Sequence, residues 1–343
     1  MKYNYTPSTA QYRDWPMRLY LADLHVEGLD KPIRVNNNLN CDWGDPSPVV
    51  DIDGDPLPMP HLLVQRWWSP EELVFYNAVV PIDTERAEQL WKAQENNQRL
   101  KWQSNRMPSC KYSHIVIGMA PYGGTAIWLV GDMKSTLLQY VHAEAVDVTP
   151  EIFVKLCDDN AYARRGVELP PQSLFEGWMR QYCYRYVPLE EYWDGNCWQV
   201  YDNNDLYYDD IDVISVHDKR TDGTYNLSED LEQLDHMTTA LPRHFCVHWR
   251  VNRKDYEAHY WVDDHAFAQL FNRFFSLHPD SKADLLVRID IRTRHFELAL
   301  ADSEELLKPE TIPAETYQML VFENNTEFYK SENYSQEKGA WNW

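Results

Sequence analysis

The sequence predicts an α+β protein made of two related antiparallel-sheet domains, each β-β-α-β-β, joined by an acidic connector. Three observations lead there: an internal similarity between two distant segments, a change of apolar period within each copy, and a concentration of acids between them. The expected boundaries are 1–149 for the first domain, 150–240 for the connector and 241–343 for the second domain. A chain of 343 residues is long enough for two cores that need neither metal nor disulfide to fold.

The similarity aligns residues 76–91, YNAVVPIDTERAEQLW, without gaps on 256–271, YEAHYWVDDHAFAQLF. Upstream, HLLVQRWW at 61–68 matches HFCVHWRV at 244–251, and each reads as a strand from its β-forming residues. A second strand follows in each copy, near 73–82 and 256–262. Asp83 and Asp263 then stand as N-caps of helices, because an Asp oxygen can accept from the orphan N–H groups of a first turn. Along those helices Ala87, Leu90 and Trp91 in one copy, and Phe267, Leu270, Phe271, Phe274 and Phe275 in the other, recur at three- and four-residue spacing, which makes one apolar face.

Two further strands close each copy, SHIVIGMA and TAIWLVGD in the first and DLLVRIDI and HFELALAD in the second. STLLQYVHAEAVDV adds another strand to the first copy, and residues 160–185 read as partly helical. The turn between SHIVIGMA and TAIWLVGD contains Pro121, Gly123 and Gly124. Its counterpart Arg292-Thr293-Arg294 has no glycine, and no helix follows the turn to orient N–H groups at a phosphate, so a hairpin turn is expected rather than a ligand cradle.

Charge narrows the function. The formal net charge of −22 disfavours nucleic acid, which needs a basic surface, and suits a basic partner. Residues 186–236 hold 14 Asp or Glu against Lys219 and Arg220, a net of −12, so over half of the excess is concentrated there. Its centre, YWDGNCWQVYDNNDLYYDDIDVISVHD, interleaves acids with large rings. Solvated charge runs lack large rings, whereas interfaces use Trp and Tyr as anchors and carboxylates to pair with Lys or Arg. The expected partner-binding residues are Trp193, Asp194, Trp198, Tyr201, Asp202, Asp205, Tyr207, Tyr208, Asp209, Asp210 and Asp212.

Other chemistries find less support. The six cysteines are scattered without a CxxC, as in a reduced protein, and the N-terminal segment lacks the apolar core of a leader, so a cytoplasmic location without membrane contact is expected. DIDGD at 51–55 departs from a calcium loop, with glycine fourth and Leu62 twelfth. His244 and His248 share one face of a strand and His259 lies on the next, but their spacing does not demand a metal, and no cofactor is expected. There is no GxSxG elbow, so an enzyme is not expected. The alternative is a carbohydrate-binding or carbohydrate-active protein using the 14 Trp as platforms and a carboxylate pair.

HLLVQRWWSPEELVFYNAVVPID followed by YSHIVIGMAPYGGTAIWLVG resembles the bacterial domain-of-unknown-function family numbered 2931. Its pattern I-x-I-G-L-A-P-G-G-x-x-x-V-W-L-x-G is met by Ile117, Gly118, Ala120, Pro121, Gly123, Gly124, Trp128, Leu129 and Gly131, with Met119 in place of leucine and Tyr122 inserted. The resemblance covers roughly residues 16–148 and only faintly the second copy. It implies no catalytic residue. Domains of this sort occur as immunity proteins encoded beside type VI secretion toxins, so it implies a binding protein that neutralises a cytoplasm-acting toxin, a nuclease in the expectation drawn here.

Overall fold

The computed structural model describes residues 1–35, 42–46, 56–96, 111–199, 212–227, 234–304 and 309–335. The protein is α+β with strands predominating, and the chain divides into two compact units, Met1–Phe175 with Asp222–Tyr225, and Glu176–Thr221 with Asn226–Trp343. Among the described residues, no helix is long and apolar enough to cross a membrane.

The first unit contains β1 (Thr6–Gln11), β2 (Arg18–Val26), β3 (Ile33–Arg34), β4 (Pro60–Ser69), β5 (Val74–Pro81), α1 (Thr84–Asn96), β6 (Tyr112–Met119), β7 (Gly124–Gly131), β8 (Lys134–His142) and β9 (Glu144–Val146). The helices α2 (Pro150–Asp159) and α3 (Gln172–Trp178) follow, the latter ending beyond the first unit's last helical residue, Phe175. Strands pair in the order β3-β2-β4-β5-β9 in one sheet, and β1, β6, β7 and β8 are successive neighbours in another. Leu63, Trp67, Ala78 and Val80 of the first sheet share a core with Ile115, Ile117, Ile127 and Leu129 of the second and with Ala87 and Trp91 of α1. The apolar face expected on that helix is therefore the buried one. Asp83 Oδ1 accepts from Arg86 N at 3.0 Å, which satisfies one of the helix's orphan donors.

The second unit contains β10 (Tyr182–Glu190), β11 (Tyr192–Trp193), β12 (Trp198–Gln199), β13 (Asp212–Arg220), the border strand β14 (Tyr225–Asn226), β15 (Met237–Thr239), β16 (Pro242–Val251), β17 (Lys254–Val262), α4 (Asp264–Leu277), β18 (Ala283–Asp290), β19 (His295–Asp302), β20 (Glu310–Thr311), β21 (Tyr317–Glu323) and β22 (Thr326–Lys330). β13, β16, β17, β21 and β22 are successive neighbours in one sheet, and β15-β10-β18-β19-β20 is the order of another. Asp263 Oδ1 caps α4 by accepting from Ala266 N at 2.8 Å. The helix then buries Phe267, Leu270, Phe271 and Phe274 among Phe245, Val247, Trp249 and Tyr260 of one sheet and Tyr184, Leu285, Val287 and Leu298 of the other.

Hairpin, helix and hairpin follow one another in both units, as β4, β5, α1, β6, β7 and as β16, β17, α4, β18, β19. The two hairpins of each set lie in different sheets, so a set is not one sheet carrying a helix. The expectation of antiparallel sheets is corrected at two places, because β1 runs parallel to β6 and β10 runs parallel to β18. Those pairings join segments far apart in sequence, which no turn signal announces. β10 and β13 lie within the stretch read as a connector and supply strands to the second unit's two sheets.

Candidate functional site

Of the residues expected to bind a partner, Trp193, Asp194, Trp198 and Asp212 are described. Tyr201, Asp202, Asp205, Tyr207, Tyr208, Asp209 and Asp210 lie outside the described residues, as does DIDGD. The first three meet in the small β11–β12 hairpin, where Trp193 pairs with Trp198 across the strands. Asp194 builds its turn: Oδ1 accepts from the backbone N–H groups of Asn196 and Cys197 at 2.8 Å each, and Oδ2 accepts from Gln199 Nε2 at 3.0 Å. Those backbone bonds hold the exposed carboxyl below its usual range. Gly195 carries the positive φ of 97° that the turn demands.

The two indoles are half-buried against the outward face of their own unit's sheet. Trp193 stacks on His295 at 4.3 Å with the rings within 10°, and Trp198 lies 5.2 Å from the same imidazole. Trp198 Nε1 donates to Glu297 Oε1 at 2.9 Å, and the Arg288 guanidinium sits 5.7 Å from a Trp198 ring centroid. Arg288 also pairs with Glu191 at 3.1 Å and Glu297 at 3.2 Å. The buried Asp290 fastens the hairpin's edge, accepting Trp193 N at 2.9 Å on one oxygen and Arg292 N at 2.9 Å on the other.

The result is an acid-rich shelf with an aromatic interior and an exposed tip at Asp194–Cys197. Burial pushes the Glu191 carboxyl up despite Arg288. Glu190 shares the core-facing parity of Tyr182, Tyr184 and Tyr186, and burial pushes its carboxyl up to about 7 against the pull of Arg292. Asp212 is not part of this shelf. It is exposed at the start of β13, in register with Arg250.

Sequence reading missed His295, Arg288, Asp290 and Glu297, which support the indoles. Their signal is polar alternation within otherwise apolar strands: Arg288 faces Glu297 and Asp290 faces His295 across β18 and β19. His244 and His248 share one face of β16 as expected, and the register with β17 brings His259 to the same face: His244 Nε2 is 3.2 Å from His259 Nδ1, and His248 stands opposite Glu257.

The glycines of residues 118–124 serve packing and a turn. Pro121–Gly123 forms a single 3₁₀ turn between antiparallel β6 and β7, with Tyr122 and Gly123 at φ of 58° and 76°. A Cβ at Gly118 would lie 2.5 Å from the Trp128 ring, itself a T-shaped neighbour of Trp43. Residues 2–168 match the family described as "Protein of unknown function (DUF2931)". The N-terminal half of the chain is a DUF2931 domain. No curated protein and no solved structure matches the chain. In this DUF2931 half, the motif residues Ile117, Gly118, Ala120, Trp128, Leu129 and Gly131 are all buried, with Trp128 Nε1 donating to Asp222 O at 3.1 Å, so the motif encodes packing here.

Proposed function

We propose that the protein is an immunity protein of the kind of TsiT, which binds and neutralises a cytoplasm-acting type VI secretion toxin, a nuclease, without catalysis. The observation that carries this reading is the net charge of −12 over residues 186–236. A nuclease exposes Lys and Arg to hold phosphates, and a dense acidic surface competes for them with fast, steered association. The exposed tip of the β11–β12 hairpin supports it, since it presents Asp194 from a fixed turn. The consecutive exposed residues Ile152, Phe153 and Val154 on α2 of the DUF2931 half also support a protein partner, because exposed apolar patches favour contact with another chain.

The test is capture of partners by the tagged chain from its native host at low and moderate salt, followed by a DNA-cleavage assay of what is retained. Recovery of one basic protein in near-stoichiometric amount, whose nuclease activity the chain suppresses, is the expected result. An empty bait at both salts, or a captured nuclease that cleaves undiminished, overturns the proposal. Stabilisation of the chain by glycans would instead favour the carbohydrate reading.

A further inference from the structure

The β16–β17 hairpin carries C-x-H on one strand and E-x-H on the other. Its two-residue turn, Asn252 and Arg253 with φ of 51° and 64°, has the left-handed pair of a type I′ connection and locks Val251 opposite Lys254. From that register Cys246 stands opposite His259 and His248 opposite Glu257, all on the face away from the core. The four side chains thus form a two-by-two patch on two rigid strands, the kind of support a ligand set needs.

Three of them converge. Cys246 Sγ lies 3.7 Å from Glu257 Oε1 and 3.9 Å from His259 Nε2, and that nitrogen lies 2.7 Å from Glu257 Oε1. One thiol, one imidazole and one carboxylate therefore have their donor atoms within 4.8 Å of one another. A tetrahedral zinc ion, with bonds of about 2.0–2.3 Å, holds its ligand atoms about 3.3–3.6 Å apart, a spacing these side chains reach by small rotations.

The surroundings fit the same purpose. Cys246 and His259 are 2% and 9% exposed, so the donors are shielded from bulk water. His244 Nε2 lies 3.2 Å from His259 Nδ1, on the side of the imidazole away from the cluster, where a hydrogen bond sets the tautomer and leaves Nε2 for the metal. Trp261, with its ring 5.6 Å from that of His259, forms an apolar wall. His248 Nε2 pairs with Glu257 Oε1 at 3.1 Å, and His217 Nε2 on the neighbouring strand is a buried nitrogen with no hydrogen-bond partner among the described residues. A buried nitrogen left in that condition calls for an explanation, and a cation bound at the cluster is one.

We propose that Cys246, Glu257 and His259 form a binding site for a zinc-class divalent cation, with His244 as the residue that orients His259 and His248 as the next donor in reach. A thiolate, an imidazole and a carboxylate suit zinc rather than calcium or magnesium, which take oxygen sets. The inference is independent of the proposed partner, because it concerns the second unit's own strands.

The test uses the purified full chain, first freed of metal and then titrated with cobalt(II) as a spectroscopic stand-in for zinc. One equivalent taken up, with the charge-transfer band of a cobalt–thiolate bond, is expected, and zinc should displace it. Cys246→Ser should abolish the band, Glu257→Gln should weaken binding at least tenfold, and His244→Phe should weaken it by about ten- to a hundredfold. Metal-free melting curves of each variant establish that it folds, and the near-isosteric Glu257→Gln carries the test if Cys246→Ser does not. No stoichiometric uptake by the unaltered chain overturns the proposal, as does uptake that persists undiminished in folded Glu257→Gln.

Discussion

The Trp193 indole lies flat on the His295 imidazole, 4.3 Å away, so a ring that its acidic surroundings mark as a binding anchor is already engaged by its own sheet. Trp198 shares that imidazole and donates to Glu297. Trp198→Ala should therefore lower the stability of the second unit, by about 1–3 kcal/mol from lost ring burial and a lost hydrogen bond. Trp198→Phe should recover most of the packing part. Urea unfolding of the two variants checks this, and an unchanged midpoint for Trp198→Ala would show that the hairpin contributes nothing to the fold.

Asp209 and Asp210 are tested through charge alone. If the acidic stretch steers a basic toxin, Asp209→Lys with Asp210→Lys should slow association about tenfold at low salt and flatten its salt dependence, while dissociation changes little. Surface plasmon resonance at two salt concentrations reads both rates. Identical kinetics would remove this stretch from the interface.

The Asp218 and Arg220 side chains form a buried ion pair, with Arg220 Nε 2.9 Å from Asp218 Oδ2 and Tyr186 OH donating to the same oxygen at 3.1 Å. Asp218→Asn leaves the guanidinium desolvated without its counter-charge. The expected cost is about 3–5 kcal/mol, larger than for any exposed pair. Chemical denaturation measures it, and a loss below about 1 kcal/mol would mean that water reaches Arg220.

Glu190 supplies a pH dependence. Its folded value of about 7 lies above the unfolded value of about 4.3, so the native state holds a proton that the unfolded chain releases between them. Stability from this group is therefore greatest below about 4.3, falls as pH rises towards 7, and stays reduced above. Glu190→Gln, which mimics the protonated form, should be more stable than the unaltered chain at pH 8 by about 1–3 kcal/mol and nearly equal to it at pH 4. Urea midpoints at the two pH values decide it, and equal differences at both would exclude Glu190 as the source.

Gly118→Ala probes the DUF2931 motif. The added Cβ would lie 2.5 Å from the Trp128 ring and 2.7 Å from Trp43, both held by their own ring neighbours. Overpacking of this kind costs about 1–3 kcal/mol. A thermal melt of the variant provides the measurement, and an unshifted transition would mean that the motif glycine is not there for packing.

Much of the local structure was legible. The three- and four-residue spacing that buries Ala87 and Trp91 in α1, and Phe267, Phe271 and Phe274 in α4, is written in the residues, as are the caps Asp83 and Asp263 and the turn at Pro121–Gly123. A helix face and a tight turn depend on residues within four positions of one another, so periodicity and backbone preference report them directly. The alternation that puts His244 and His248 on one face of a strand was read for the same reason, whereas the register that brings His259 to that face belongs to the strand pairing.

The site residues were legible only as a composition. Trp193, Asp194 and Trp198 stood out by type, but their support by His295, Arg288 and Glu297 comes from a strand pair a hundred positions away along the chain. Nothing near residue 193 encodes it. Helix α2 lay before the segment read as helical, although Thr149 and Pro150 open it, with Thr149 Oγ1 accepting from Ile152 N at 3.4 Å.

By itself, then, the sequence determined the hairpins, the two amphipathic helices, their caps and the concentration of negative charge, because each is set by neighbours along the chain. Only the tertiary structure decided that the hairpins of each set join different sheets, that β1 and β10 run parallel to β6 and β18, and that Cys246, Glu257 and His259 meet. Those are pairings between remote strands, chosen by which apolar faces can be buried together and by a register that one residue of slip would invert.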